Sequence, residues 1–299
     1  MRKKILFTGG SGLLALNSAL YLRDDFEVYL ALHNRIINLQ DVQTCKIDLE
    51  NEQELEKELI RINPDILINA AGMTNVEECE LKPNDAEKIN AIVPGILARL
   101  SKKLNIFFVH ISTDHLFDGT KSFQTEDDSI SPLNEYGKSK AKGEQEVIKY
   151  NKDALIVRTN FFGWGTSYRQ SFSDFIINSL RQEKKITLFS DVYFTPIFIQ
   201  TLIDLIQVLI KNNRTGIINI VGNERVSKYE FGILIAEIFG LNKNLIEKGL
   251  IVNNKSLVQR PKDMSLSNLN VSKISNTYKF PSLNDQICFL FKNELLTKI

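Results

Sequence analysis

Near its start the chain carries a short apolar run, Ile5 to Thr8, then a glycine-rich turn, then a segment from Ser11 to Leu22 that reads as a helix. The alternation continues. Val28 to Leu32 predicts a second strand, Thr44 to Ile47 a short third one, and Glu52 to Ile62 a helix with one charged face. Asp65 to Asn69 predicts a strand opened by Asn63-Pro64, and Pro83 to Leu104 one long helix with apolar positions at Ile89, Ile92, Val93, Ile96, Leu97 and Leu100. Within Ile106–Ile111, the nearly continuous run of Phe107, Phe108, Val109 and Ile111 predicts a centre strand covered on both faces. A helix over Glu135–Tyr150 and a strand over Ala154–Val157 extend the series. Short apolar runs alternating with longer amphipathic ones are the pattern of βαβ units around a parallel sheet.

Beyond Arg158 the rhythm changes. Gly163, Gly165 and Pro196 punctuate it, and helices are expected near Ser171–Leu180, Ile199–Ile210 and Lys228–Phe239. Asn212 to Gly216 followed by Ile217 to Val221 predicts a strand that returns to the main sheet. The expected fold is therefore α/β, a Rossmann-type doubly wound parallel sheet with a smaller, interleaved C-terminal lobe. The first domain is expected over residues 1–165 and about 196–222, and the lobe over about 166–195 and 223–299.

Composition narrows the chemistry. The 299 residues are 43% hydrophobic and 24% charged, enough for a sizeable core. Lys and Arg total 37 against 36 for Asp and Glu, a net charge of +1, so no global field favours nucleic acid or an anionic membrane, and neither is expected as a partner. Cys45, Cys79 and Cys288 lie far apart with no metal-ligand spacing, so neither a metal site nor a disulfide framework is expected. Only three apolar residues separate the basic start from the glycines, too few for a signal-peptide core. No stretch approaches the roughly 18 apolar residues of a membrane span. The expected location is the cytoplasm.

The turn Thr8-Gly9-Gly10-Ser11-Gly12-Leu13-Leu14-Ala15 lies between the first strand and the first helix, where glycines let backbone N–H groups approach a pyrophosphate at a helix N-terminus. Ala15 occupies the place of a third glycine and is still small enough for close packing. A dinucleotide is thus the expected cofactor of the first domain. At the end of the second strand, NAD binders carry a carboxylate for the ribose 2′-hydroxyl, whereas this chain has His33-Asn34-Arg35. A guanidinium suits a 2′-phosphate, so NADPH is expected, with NADH as the alternative.

Tyr136 and Lys140 stand four residues apart, on one face of the expected helix, where both can meet one ligand. A phenol of pKa about 10 is a poor acid–base catalyst near neutrality, and a neighbouring cation draws it down. Ile111-Ser112-Thr113-Asp114 ends the centre strand, and the carboxyl ends of parallel strands are where such sheets bind ligands. Thr113 is placed to hydrogen-bond a reacting carbonyl.

Thr8-Gly-Gly-Ser-Gly, Asn69-Ala-Ala-Gly-Met-Thr, Ser112-Thr-Asp-His-Leu-Phe-Asp-Gly119, Tyr136-Gly-Lys-Ser-Lys140 and Arg158-Thr-Asn together make the chain resemble the extended short-chain dehydrogenase/reductase superfamily. Within it, the resemblance is to the dTDP-4-dehydrorhamnose reductase family of sugar-nucleotide enzymes. The resemblance implies reduction of a nucleoside-diphosphate 4-keto-6-deoxy sugar, with hydride delivered to the sugar C4. It implies a carbonyl hydrogen bond from Thr113, proton donation by Tyr136, and tuning of Tyr136 plus a ribose contact by Lys140. It further sets Asp48-Leu49 beside the adenine, Ala70-Ala71-Gly72 along the cofactor with Ser112, Asn160-Phe161 near the nicotinamide, and Asp114 near the substrate. Homodimers are common in the superfamily.

His115 departs from the family's usual tyrosine, and related dehydratases carry glutamate there, so dehydration would lack its acid. Asp191-Val-Tyr-Phe-Thr195-Pro196 sits where the family closes its substrate pocket, with different letters. Trp164 offers a face for a base or sugar, Arg260-Pro261 resembles a late basic position that meets a nucleotide diphosphate, and His110, inside an apolar strand, reads as core. Two alternatives stay open: an epimerase or dehydratase with tightly bound NAD, and a non-catalytic NADP-binding regulatory subunit, since the methionine adenosyltransferase regulatory subunit resembles this family too.

Overall fold

The computed structural model describes residues 2–254, 256–274 and 278–294. A seven-stranded sheet runs in the order Gly216–Asn219, Leu155–Arg158, Phe107–Ile111, Ile66–Asn69, Lys4–Thr8, Glu27–Leu32, Val42–Lys46. Sequence order reverses between Lys4–Thr8 and Ile66–Asn69, the doubly wound arrangement anticipated from the alternation of elements, and the strand over 216–219 does return to this sheet. Adjacent strands from Val42 to Val157 pair in parallel. Central strands are buried along their length, as Ile66–Asn69 shows, whereas the edge strand Val42–Lys46 is largely exposed. That contrast follows from coverage on two faces against a solvated edge.

The chain folds as two compact units of similar length, each drawn from three segments: 1–113, 134–157 and 209–218 in the first, 114–133, 158–208 and 219–299 in the second. By compactness, then, 114–133, 158–165, 196–208 and 219–222 go with the second unit, where the composition shift beyond Arg158 suggested a smaller lobe starting near 166. Each unit has its own core. In the first, Leu6, Leu55, Leu59, Leu67, Leu97 and Phe108 are among the side chains that pack together. In the second, Phe231 meets Phe162, Phe194 and Phe172 at ring-centroid distances of 5.2, 5.4 and 5.9 Å. Full burial of one such side chain is worth about 1.5–3 kcal/mol.

The long helix expected from Pro83 to Leu104 is interrupted. Helical turns over Pro83–Glu87 and Val93–Lys103 flank a π-helical segment, Lys88–Ile92. Pro94 is the cause that can be named: it has no N–H to give the Asn90 carbonyl one α-turn earlier, and a wider turn accommodates the loss. The helix Glu135–Tyr150 closes on that carbonyl through Gly143, where a Cβ would fall 2.1 Å from the Asn90 oxygen. Period-based reading missed the helix Val76–Leu81, capped by Asn75, whose side chain accepts the Glu78 N–H at 2.9 Å. It also missed the two-residue strands of the second unit, which are shorter than any period.

Gly143→Ala must separate two packed helices of the first unit or bend one. We expect a loss of about 2 kcal/mol or more, as for other overpacked backbone contacts, read as a fall of several degrees in Tm by calorimetry.

Candidate active site

In parallel register, Thr8 pairs with Asn69 and Asn69 with His110, so three polar residues stand level at the carboxyl ends of three neighbouring strands. All are buried. Thr8 Oγ1 donates to Asn69 Oδ1 at 2.6 Å and accepts the Ala71 N–H at 3.4 Å. Asn69 Nδ2 meets His110 Nδ1 at 2.9 Å. An amide nitrogen only donates, so Nδ1 accepts and the proton sits on Nε2. Burial first, and the Lys140 charge second, hold the His110 pKa well below its ordinary value, keeping the imidazole neutral. His110 is a core residue, as its apolar strand suggested.

This row lies at the order reversal, the place where doubly wound sheets bind ligands. Gly9 turns away from the first strand at φ +64, and a Cβ there would meet the Ala71 Cα and N at 2.8 Å. Gly12 N donates to Gly9 O at 2.8 Å, and Gly12 caps the helix Leu13–Leu22 without a side-chain hydrogen bond. First-turn N–H groups are thus left to a ligand, with no acidic residue beside them. A pyrophosphate fits this cradle. Ala70, Ala71, Gly72 and Leu13 are half-buried, while Leu14 is core. Asp48 and Leu49 are half-buried, and Asp48 Oδ1 accepts the Glu50 N–H at 2.9 Å. His33, Asn34 and Arg35 are exposed just past the second strand.

Tyr136 and Lys140 are both buried on the helix Glu135–Tyr150, 9% and 4% exposed, one turn apart. Lys140 Nζ donates to the Ile111 carbonyl at 2.7 Å, which ties that helix to the end of the centre strand. Burial pushes the ammonium down to about 8, against an upward pull from the Glu144 carboxylate. Glu144 also accepts from Ser112 Oγ at 2.6 Å, and Thr113, next along, is buried. Two residues that periodicity did not single out complete this frame. Asn90, fully buried, accepts the Met73 N–H and donates to Met73 O, both at 2.9 Å, and also donates to Ser139 Oγ at 3.0 Å. Ser139 in turn donates to the Tyr136 carbonyl at 2.9 Å. A polar residue amid the apolar positions of the 83–104 stretch was the available signal for Asn90; the i+4 step from Lys140 was the signal for Glu144.

The second unit gathers Asp114, His115, Asn160, Lys228 and Arg260. The Asn160 side-chain amide donates to the Asp114 carboxylate. Burial lowers the His115 pKa; Asp114 pulls it upward, and the Lys228 and Arg260 charges push it further down. Arg260 lines a cavity of about 360 Å³ with Gly119, Leu133, Ile251, Leu257 and Lys262. Phe161, half-buried, pairs with Ile197 in a two-residue strand. Two expectations are corrected. Trp164 lies in the core, 8% exposed, its Nε1 donating to Leu290 O at 2.8 Å and its ring against Phe239 at 6.0 Å, so its face is taken. Thr195 is 1% exposed with its hydroxyl accepting the Leu266 N–H at 3.1 Å, which makes it a support of the loop rather than a ligand contact.

The profile of the family described as RmlD substrate binding domain matches residues 2–286. A probable low-salt glycan biosynthesis reductase of Haloferax volcanii is 29% identical over 95% of this chain and 95% of its own length. Among solved structures, a hypothetical dTDP-4-dehydrorhamnose reductase from Sulfolobus tokodaii is 33% identical with a TM-score of 0.82, covering 96% of this chain and 99% of its own. The Bacillus anthracis dTDP-4-dehydrorhamnose reductase in complex with NADP is 23% identical with a TM-score of 0.86, covering 98% and 100%, and attests the shared fold.

Gly9→Ala combines a left-handed backbone with a clash against Ala71. The backbone alone costs about 1–2 kcal/mol. We expect a lower Tm and, in a fluorescence titration with NADPH, an affinity reduced by about tenfold or more, because the cradle must open to admit the methyl group.

Proposed function

The chain belongs to the RmlD substrate-binding domain family, and on that premise we propose that it is an NADPH-dependent reductase of a nucleoside-diphosphate 4-keto-6-deoxy sugar. The observation that carries the reading is the buried Tyr136–Lys140 pair, fixed to the end of the centre strand by the Lys140–Ile111 bond, in the same unit as the glycine cradle. The names borne by the Haloferax and Sulfolobus relatives agree with a reductase of activated sugars.

Bound NADPH supplies the hydride that reduces the sugar carbonyl at C4. The chain's own residues handle the oxygen. Tyr136 gives its phenolic proton to that oxygen as the alcohol forms, and Thr113 holds the carbonyl by a hydrogen bond. Lys140, as the ammonium, stabilises the phenolate left on Tyr136 and contacts the nicotinamide ribose. Its carbonyl tether to Ile111 prevents it from turning away, so little reorganisation is required at the moment of transfer. Arg35, exposed beyond the second strand, takes the adenosine 2′-phosphate. Asp114, His115 and Arg260 serve the sugar nucleotide. We place the enzyme in the cytoplasm, where nucleotide sugars and NADPH are made, with free thiols at Cys45, Cys79 and Cys288.

Tyr136→Phe keeps NADPH binding and loses about 10²–10⁴-fold in kcat on 4-keto sugar nucleotides, followed at the nicotinamide absorbance band. Equal rates for both proteins, or no oxidation by wild type across such sugars, would sink the proposal. With Lys140 held at about 8, its ammonium is complete below that pH and lost as pH rises through it, so kcat/KM declines on the alkaline side. Arg35→Ala raises KM for NADPH by about tenfold and leaves KM for NADH unchanged, a shift of about 1.4 kcal/mol.

A further inference from the structure

Consecutive residues at the end of the centre strand grip consecutive turns of the helix Glu135–Tyr150. The Ile111 carbonyl accepts from Lys140 Nζ at 2.7 Å, and the next residue, Ser112, donates from Oγ to Glu144 Oε1 at 2.6 Å. Ser112 is itself held, its N–H given to the Val157 carbonyl at 2.7 Å. Glu144 is 2% exposed and Lys140 4%, and they stand four residues apart on the helix. At that spacing two side chains share a face. The carboxylate is thereby fixed one turn beyond the ammonium, and Tyr136 lies one turn before it.

Helix stability does not account for this pair. In an i,i+4 pair the favoured order places the acid before the base, and here the base comes first. Replacing a buried ion pair by well-packed apolar groups is often neutral or stabilising, so folding alone gives no reason to keep one. What the pair does change is charge state. Burial drives the Lys140 ammonium down to about 8, and the Glu144 carboxylate pulls it upward. Groups on the neighbouring elements act elsewhere. His110, on the centre strand, is held neutral by burial and by the Lys140 charge. Glu80 and Glu87, from helices packed against this one, act on the exposed Lys138 and Lys142. Lys88 and Arg99, on the two other packed segments, pair with Glu50 and Glu52.

We propose that Glu144, fixed by Ser112, is a positioning residue of the candidate active site: its carboxylate keeps Lys140 as the ammonium one turn from Tyr136, and so sets the upper pH limit of the reduction. This rests on the reductase reading and deepens it by naming the residue that governs the charge of that site. An uncharged Lys140 cannot stabilise a phenolate, so activity follows its protonation. With the carboxylate present, the ammonium is complete below about 8 and lost as pH rises through it; without the carboxylate, the same loss comes at lower pH.

The test follows kcat/KM for NADPH oxidation on 4-keto sugar nucleotides from about pH 6 to about pH 10, with full-length wild type, Glu144→Gln and Glu144→Asp. In parallel, the same proteins carrying carbon-13 at the lysine ε-carbon report the Lys140 titration directly by NMR, its resonance being the one missing from Lys140→Met. Glu144→Gln should move the alkaline limb and the Lys140 midpoint down together by about one pH unit, costing about fivefold in kcat/KM near pH 8 and almost nothing near pH 6. Glu144→Asp, which keeps the charge, should recover most of that shift. A structural role alone would instead lower Tm and scale kcat/KM by one factor at every pH. A limb and a midpoint in Glu144→Gln within about 0.3 unit of wild type overturn the proposal, as does a shift to higher pH. Should Glu144→Gln not fold, Ser112→Ala releases the carboxylate without removing it, and an unmoved Lys140 midpoint there overturns the proposal equally. If the midpoint falls in Glu144→Gln but wild type reduces no 4-keto sugar, the reductase reading fails and the hold of Glu144 on Lys140 stands. If such sugars are reduced and neither limb nor midpoint moves, the reading stands and the proposal fails.

Discussion

Parallel register at the carboxyl edge of the sheet is the constraint on which the first unit depends. Because Thr8, Asn69 and His110 stand level, the turn after each strand begins at the same height. An apolar row there would pack as well. A polar row instead fixes relative rotation, since an amide that must accept from Thr8 and donate to His110 has one orientation that satisfies both. A single net hydrogen bond of this kind is worth only about 1 kcal/mol, but a broken one leaves a buried orphan costing about 1–3 kcal/mol, so the row enforces geometry more than it adds stability. The glycine turn, the Ala70-Ala71 segment and Ser112-Thr113 inherit their positions from it.

The helix carrying Tyr136 and Lys140 meets this edge through a different kind of fit. Pro94 frees a carbonyl of Asn90, Gly143 lets a neighbouring backbone close on it, and the Asn90 side chain then reaches both the Met73 backbone and Ser139. Ser139 lies between the two candidate residues on the helix, so this chain of bonds fixes the backbone that carries them, while the Ile111 carbonyl holds the Lys140 ammonium itself. Burying Lys140 and Glu144 spends stability that an apolar pair would keep. Such a cost is expected where charge serves chemistry rather than folding.

Much of this was legible in the letters. The strands of the main sheet announced themselves as apolar runs, and the returning strand at 216–219 followed from a Thr-Gly turn before Ile217. Glycine spacing and the Tyr136–Lys140 step pointed to the candidate site because both encode backbone or side-chain distances directly. What escaped depends on contacts between remote segments. Trp164 between two glycines looked available, yet Leu290, 126 residues on, supplies the acceptor that buries it. Thr195 was similarly claimed by Leu266. The π-segment was hidden because its cause, a proline four residues after a buried asparagine, weakens no period.

Lys140 shows how a buried charge is held in one place. Burial lowers its ammonium to about 8, and the Glu144 carboxylate one turn away resists the fall. The Ile111 carbonyl accepts one of its protons, so the position of the group is set by the end of the centre strand and does not depend on a ligand. A charge fixed in this way costs folding stability, yet needs little rearrangement to act on a neighbour, and that exchange of stability for preorganisation is what separates it from the solvated lysines of the same helix.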